Sequence, residues 1–192
     1  MLNIFLFFIT ITVSLCSSEL TTIKTEFQKV SQEIISVVQN KKLMKNDRNN
    51  IIIKTIVPMF DFELMAKLSL GKQWKKITKT KQNKFIELYV KRMKKSYSSK
   101  IDKYTNEKIV INSIKKVKRN RVVLNTSLLN DGDSLEVIYK FYKPNIQKKE
   151  KQAWLVYDVV ISGVSIVRTD KAQFKAVLKD NSIDELMDRL NK

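Results

Sequence analysis

The hydrophobic periodicity of this chain changes twice, and these changes restrict the fold more than any other feature. Up to about Tyr104, apolar residues recur at the three- and four-residue spacing of amphipathic helices. From Lys108 apolar and polar residues alternate as in β-strands, and after Val167 the helical spacing returns. Consecutive strands between two groups of helices predict an α+β fold, with helices packed on one curved antiparallel sheet of about four strands. A chain of 192 residues is long enough for one domain with a substantial core.

Four helices are predicted before the sheet, at residues 19–39, 47–58, 61–71 and 78–104. Asp47 and Asp61 are the predicted N-caps of the second and third helices, Gly71 ends the third, and Thr78 or Thr80 begins the fourth. We interpret an i, i+4 row along the fourth helix as core-facing, with ligand contact by part of it as the alternative. That row is Phe85, Tyr89, Met93, Tyr97 and Ile101.

Two strands are predicted to form a hairpin around the turn at residues 130–133, where an Asp-Gly pair supplies positive φ angles. Alternation places four residues of each strand on one face. They are Val122, Leu124, Thr126 and Leu128 in the first strand, and Leu135, Val137, Tyr139 and Phe141 in the second.

The next strand, within WLVYDVVISGVSIV at residues 154–167, is apolar on both faces. It is too short and too polar to span a bilayer, because it contains Asp158 and Gly163. Something must therefore cover its second face, and a bulge near Gly163 would exchange the two faces.

Two short helices are predicted to close the chain. Asp170 with Gln173, and Ser182 with Glu185, have the spacing of capping boxes ahead of apolar segments.

Residues 1–18 are predicted to be a signal peptide, followed by a single domain at residues 19–192. The first eighteen residues carry no charged side chain, and the apolar run from Ile4 to Leu15 has the length of a signal-peptide core. Cleavage after Cys16 or after Ser18 fits the small residues there. Acylation of Cys16 would instead make a lipid anchor, but Leu15 is large for the position before such a cysteine. A soluble exported protein is the preferred interpretation.

Composition excludes most catalytic chemistry. The chain has no histidine, and the predicted mature part has no cysteine, so serine triads, thiol catalysis and His- or Cys-based metal sites are excluded there. We therefore predict that the protein is not an enzyme and has no cofactor. The net charge of +18 favours anionic partners. Nucleic acid is not favoured, because Tyr139 and Phe141 share a face with apolar residues rather than with lysines.

Two groups of residues form recognisable motifs. The first comprises Phe60, Asp61, Met65, Ala66, Leu70, Gly71 and Trp74, and the second comprises Trp154, Val156, Asp158, Val159, Ile161, Gly163, Val164 and Ser165. Together with KQNKFIELYVKRMKKSY at residues 81–97 and QFKAVL at residues 173–178, these motifs resemble the periplasmic phospholipid-binding carriers of the Mla lipid-asymmetry pathway, the MlaC or toluene-tolerance family. The resemblance extends from about residue 25 to the C-terminus, and Lys79 and Thr169-Asp170-Lys171 depart from the family pattern.

This resemblance implies an NTF2-like fold around a deep apolar cavity that holds the acyl chains of a phospholipid. It implies that lipid moves between the inner and outer membranes to maintain outer-membrane asymmetry. The implied partners are an inner-membrane ABC transporter complex with a lipid-binding ring and an outer-membrane lipoprotein complex. The alternative is a cationic NTF2-like module that binds another anionic or hydrophobic ligand. The predicted cavity wall comprises Phe60, Met65, Leu68, Tyr89, Met93, Val137, Tyr139, Phe141, Trp154, Val156, Val164 and Ile166.

Overall fold

The computed structural model describes residues 11–101, 108–130, 132–144 and 154–191, without the side chains of residues 11–17 and 97–101. The first ten residues of the predicted signal peptide, the side chain of Cys16 and the predicted helix end near Tyr104 lie outside the described part. The helices are α1 (Ile11–Gln39), α2 (Lys45–Ile56), α3 (Phe62–Leu70), α4 (Lys79–Ile101), α5 (Ile166–Asp180) and α6 (Ile183–Asn191). The strands are β1 (Lys108–Lys118), β2 (Arg121–Asn130), β3 (Asp133–Tyr142), β4 (Leu155–Ile161) and β5 (Val164–Ser165).

The strands form one antiparallel sheet in the order β1-β2-β3-β4-β5. The predicted hairpin is confirmed, because Asn130 pairs with Asp133 and the apolar residues of β2 lie opposite those of β3, such as Leu124 opposite Tyr139. The fifth strand has only two residues. The predicted α+β fold, with helices against a sheet of about four strands, is therefore confirmed.

A register shift in β4 decides which of its residues face the helices. Phe141 pairs with Val156 and Tyr139 pairs with Val159, so one extra residue lies between these two pairs. Val156 and Val159 consequently share a face although they are three positions apart. The exchange of faces that a bulge near Gly163 would have caused therefore occurs earlier in the strand. Ser162 and Gly163, with φ angles of 47° and 78°, form the two-residue turn between β4 and β5.

The apolar side chains form two clusters on different parts of the fold. One joins α3, α4, α5 and α6, with Phe85, Tyr89 and Phe174 among its buried aromatic residues. The other joins α1 to one face of the sheet and includes Phe27 and Leu124. Helix α5 packs against β4 as well as against α3, and this contact covers the second face of that strand.

Three helix starts agree with the sequence and three do not. The Asp61 carboxylate accepts a hydrogen bond from Leu64 N at 2.8 Å, and Lys81 N donates to Thr78 Oγ1 at 3.3 Å. Ser182 and Glu185 form the predicted capping box, with distances of 2.7 and 3.2 Å. Helix α1 begins at Ile11, before the predicted start at Glu19, and ends at Gln39 as predicted.

The predictions for Asp47 and Asp170 as caps were wrong. Helix α2 begins after Met44, which makes no side-chain cap, and Asp47 lies in its first turn. Ser165 caps α5 by accepting a hydrogen bond from Arg168 N at 3.1 Å, so Asp170 lies inside the helix. The spacing of a capping box does not show whether its first residue caps the helix or lies inside the helix in a buried contact, as Asp170 does. Among the described residues, no helix is long and apolar enough to cross a bilayer.

Candidate functional site

A cavity of about 210 Å³ lies between α1, α2 and the inner face of the sheet. Most of its lining is aliphatic or aromatic, and all four long strands contribute to it. The lining residues are Phe27, Val30, Ser31, Ile34, Ile35, Val38, Gln39, Ile52, Ile56, Met59, Phe60, Ile109, Thr126, Leu128, Leu135, Val137, Tyr139, Val156, Val159 and Ile161.

The cavity is closed at one end and open at the other. Val122, Leu124 and Phe141 fill the closed end and are at most 2% exposed. Towards the turn between β2 and β3, the lining residues Leu128 and Leu135 are only half-buried. The walls therefore become more buried from the opening, between the end of α1 and this turn, towards the closed end.

The orientation of α1 follows from an ion-pair cluster around Glu19, in the first half of the helix. Glu19 contacts Lys116 Nζ and Lys143 Nζ, each at 2.9 Å, so this part of α1 lies at the closed end of the sheet. From Glu19 to Gln39 the helix advances about 30 Å, which is close to the length of a ten-residue strand. Gln39 therefore reaches the open end, where it lines the cavity.

The cavity lining contains few polar groups. One of the most deeply buried, Thr126, forms a hydrogen bond within the sheet. Thr126 is 1% exposed, and its hydroxyl donates to the carbonyl of Val137 at 2.8 Å. The ring of Tyr139 meets the ring of Phe27 edge to face at 4.8 Å between centroids. The wall therefore offers dispersion contacts and little directional recognition.

Four predicted wall residues line this cavity: Phe60, Val137, Tyr139 and Val156. Phe60 joins the wall because it forms a bridge with Val156 at the free edge of β4. Phe141, Trp154 and Ile166 belong to the apolar cluster around the cavity without lining it. The role of these residues in lipid binding stays a prediction.

The other five predicted wall residues lie elsewhere in the fold. Met65, Tyr89 and Met93 are buried in the helical cluster, because α4 packs against α3 and α6 rather than across the inner face of the sheet. Leu68 is 38% exposed on α3. Val164 is 59% exposed, because it follows the turn that ends β4. Their positions correct the prediction that these five residues line the cavity.

Helices α1 and α2 supply many of the wall residues, and none of these was among the predicted wall residues. Val30, Ile34 and Val38 belong to the apolar stripe that predicted α1 as an amphipathic helix. This stripe continues to the end of α1, beyond Ile23 and Phe27, which are buried against the sheet. Its final turns are only half-buried in the structure, which distinguishes the wall of a cavity from a solid core. The sequence shows the stripe but not this difference in burial.

The buried carboxylates serve structural contacts. Asp158 is 5% exposed and accepts hydrogen bonds from Lys140 Nζ at 2.9 Å, from Ser165 Oγ and from Val167 N at 3.2 Å. It thus ties β3 to the N-terminus of α5, where negative charge is favourable. Asp61 caps α3 and accepts a hydrogen bond from the Tyr142 hydroxyl. Burial and this contact raise the pKa of Tyr142 above its ordinary value.

Glu19 gives the fold a dependence on acid pH. Hydrogen bonds from Lys143 and Lys116 hold the pKa of Glu19 below its ordinary value. A carboxyl whose pKa is lower in the folded state stabilises the fold above its unfolded pKa, and this stabilisation is lost as pH falls through the folded value. Glu19→Gln should therefore reduce the free energy of unfolding near neutral pH by about 0.5–2 kcal/mol, summed over two partly exposed ion pairs.

Urea unfolding at neutral pH and at a pH below the folded pKa of Glu19 checks this expectation. The difference between Glu19→Gln and the unmodified protein should shrink in acid. A difference that is equally large at both pH values would contradict the role of the Glu19 charge. Glu87→Gln is a suitable control, because Glu87 forms only an exposed i, i+3 pair with Lys84 at 3.6 Å.

Known proteins resemble this chain in sequence and in fold. A curated relative, the intermembrane phospholipid transport system binding protein MlaC of Haemophilus influenzae, is 24% identical over 170 residues, covering 85% of this chain and 78% of the relative. A solved phospholipid-binding protein from Ralstonia solanacearum, in complex with a phospholipid, has the same fold. Its TM-score is 0.75 at 18% identity, over 87% of this chain and 93% of that one. Because the MlaC protein family model matches residues 28–192, nearly the whole of the described domain, this chain belongs to the MlaC family.

Proposed function

We propose that the protein is a periplasmic carrier that moves phospholipid between the inner and outer membranes and so maintains outer-membrane lipid asymmetry. The observation that carries this proposal is the apolar cavity between α1, α2 and the sheet, closed at one end and open at the other. The family membership and the names of the relatives support it. No catalytic role and no cofactor besides the bound lipid is proposed, and Asp61, Asp158 and Asp170 all have structural partners.

The energetics of acyl chains explain why such a carrier needs a closed cavity. Two tails contain on the order of 28 methylenes, each worth about 0.8 kcal/mol of transfer from water, or on the order of 20 kcal/mol in total. A shallow groove would leave much of the acyl-chain surface in water, so most of this unfavourable free energy would remain. The binding must nevertheless remain close to that of a bilayer, since delivery requires release. Smooth apolar walls with few polar contacts satisfy both requirements.

The size of the cavity suggests which parts of a bound lipid it would enclose. The cavity volume of about 210 Å³ is below the roughly 300–1,000 Å³ of most small-ligand sites. We infer that the tails fill the cavity and extend through its open end, and that the head group lies outside beside the end of α1.

Export and delivery complete the proposal. Residues 1–18 are the proposed signal peptide, and residues 19–192 form the proposed phospholipid-binding domain, soluble in the periplasm rather than anchored through Cys16. An inner-membrane ABC transporter complex with a lipid-binding ring and an outer-membrane lipoprotein complex are the proposed partners. Cys16→Ala should leave the distribution of the protein between periplasm and membrane unchanged.

The direct test is native mass spectrometry of the protein isolated from the periplasm without added lipid, followed by solvent extraction. We expect a mass increment equal to one phospholipid and recovery of that lipid in the extract. The protein should also take up labelled phospholipid from vesicles. A lipid-free protein that takes up no label would contradict the carrier, and a different extracted ligand would favour another kind of NTF2-like binding module.

A further inference from the structure

The link between α1 and α2 exposes an apolar side chain among lysines. Met44 is 74% exposed, more than any other large apolar side chain in the described ranges. Lys41 and Lys42 precede it and are also exposed. In the sequence, no acidic residue lies between Glu33 and Asp47, and Glu33 accepts a hydrogen bond from the Thr55 hydroxyl at 3.1 Å. The link is therefore a locally cationic tip with a flexible apolar side chain.

This link lies at the mouth of the cavity. It follows directly after Val38 and Gln39, which line the open end. It leads into α2, whose Ile52 and Ile56 form part of the same wall. Any surface that the link touches is consequently adjacent to the opening through which a tail would pass.

We propose that this link docks on an anionic bilayer surface. Met44 enters the head-group region, while Lys41 and Lys42 contact lipid phosphates and extend their methylene stems along the interface. Docking would hold the mouth of the cavity against the source or destination of the lipid. The inference rests on the proposed carrier function for its purpose, but the binding of vesicles by the link is measurable independently of lipid in the cavity.

The test is flotation of the periplasmic protein with vesicles of equimolar phosphatidylcholine and phosphatidylglycerol, compared with vesicles of phosphatidylcholine alone. We expect binding to the anionic vesicles that weakens as salt is raised. Lys41→Gln/Lys42→Gln should lower the partition coefficient about thirtyfold, from the contribution of a lysine near an anionic surface. Met44→Ser should lower it further. Brominated lipids should quench the fluorescence added by Met44→Trp.

The matched control is Lys75→Gln/Lys76→Gln, which removes the same charge from an exposed pair of adjacent lysines after α3. It should bind nearly as the unmodified protein does. Equal losses in the two double variants would overturn the proposal in favour of diffuse attraction by the net charge. Unchanged vesicle binding after the Lys41/Lys42 change would also overturn it, and would favour a protein partner if transfer to that partner were lost instead.

Lipid content, measured on the same samples, separates this inference from the carrier function. Link variants should retain the lipid of the unmodified protein, because Lys41, Lys42 and Met44 do not line the cavity. A loss of lipid with intact vesicle binding would overturn the docking role and leave the carrier standing. If the protein binds vesicles through the link but never holds lipid, the docking role stands and the carrier function is contradicted.

Discussion

Replacing Val137 with tryptophan is expected to remove the bound lipid almost completely while the protein remains folded. Val137 lies on β3 between Thr126 and Ile161, and all three residues line the cavity. Its side chain is 8% exposed. An indole at this position would occupy space that we assign to acyl chains. In a solid core the same change would lower the free energy of unfolding by about 1–3 kcal/mol through overpacking.

Lipid recovered per protein and thermal unfolding, measured on the same preparation, check this result. Val110→Trp is the matched control, because Val110 is 42% exposed and pairs with Ser127 on a neighbouring strand outside the cavity lining. The control should retain lipid and stability. If Val137→Trp unfolds readily and the unmodified protein holds no lipid, the apolar face is ordinary core and the carrier loses its physical basis.

Asp170→Ala is expected to cause a large loss of stability. Asp170 is 2% exposed, and its carboxylate accepts hydrogen bonds from the Tyr89 hydroxyl at 2.8 Å and from Arg92 at 2.6 Å. These contacts connect α4 with α5. Removing the acid leaves a half-buried guanidinium without its counter-charge, so we expect a loss of about 3 kcal/mol in the free energy of unfolding, the lower end of the range for buried pairs.

The control for Asp170 is Asp184→Ala. Asp184 forms an ion pair with Lys81 at the same distance of 2.6 Å, but the two side chains are 58% and 40% exposed. Solvent screening should limit its contribution to about 1 kcal/mol or less. Urea unfolding of both variants gives the comparison. Similar losses would show that burial does not set the importance of the Asp170 contacts.

The predicted strand faces were accurate within β2 and β3 because alternation is a local property of an extended chain. Val122, Leu124 and Phe141 all became buried on the expected face. The same logic failed beyond Tyr157, since one extra residue in β4 changes the face of everything that follows. A bulge depends on how the neighbouring strand pairs, and periodicity in one strand does not reveal that pairing.

The candidate site was predicted only in part for a related reason. The row Phe85, Tyr89 and Met93 on α4 was correctly interpreted as core-facing by default, but Tyr89 and Met93 were also placed in the wall. An amphipathic stripe shows that a helix has an apolar face, and it does not show which element covers that face. Both α1 and α4 have such a stripe, and only packing distinguished them.

The sequence by itself determined the α+β class, the hairpin, the capping of α3 and α6, and the resemblance that the MlaC family match confirms. These depend on local spacing, on turn chemistry and on motifs, which are all present in the linear chain. Only the tertiary structure decided that α1 and α2 cover the inner face of the sheet, that Asp170 pairs with Arg92, and that Val164 lies at the surface. Those outcomes depend on which surfaces meet in the fold. The free energy of burial comes from contacts between segments that are distant in the chain, so local sequence does not specify it.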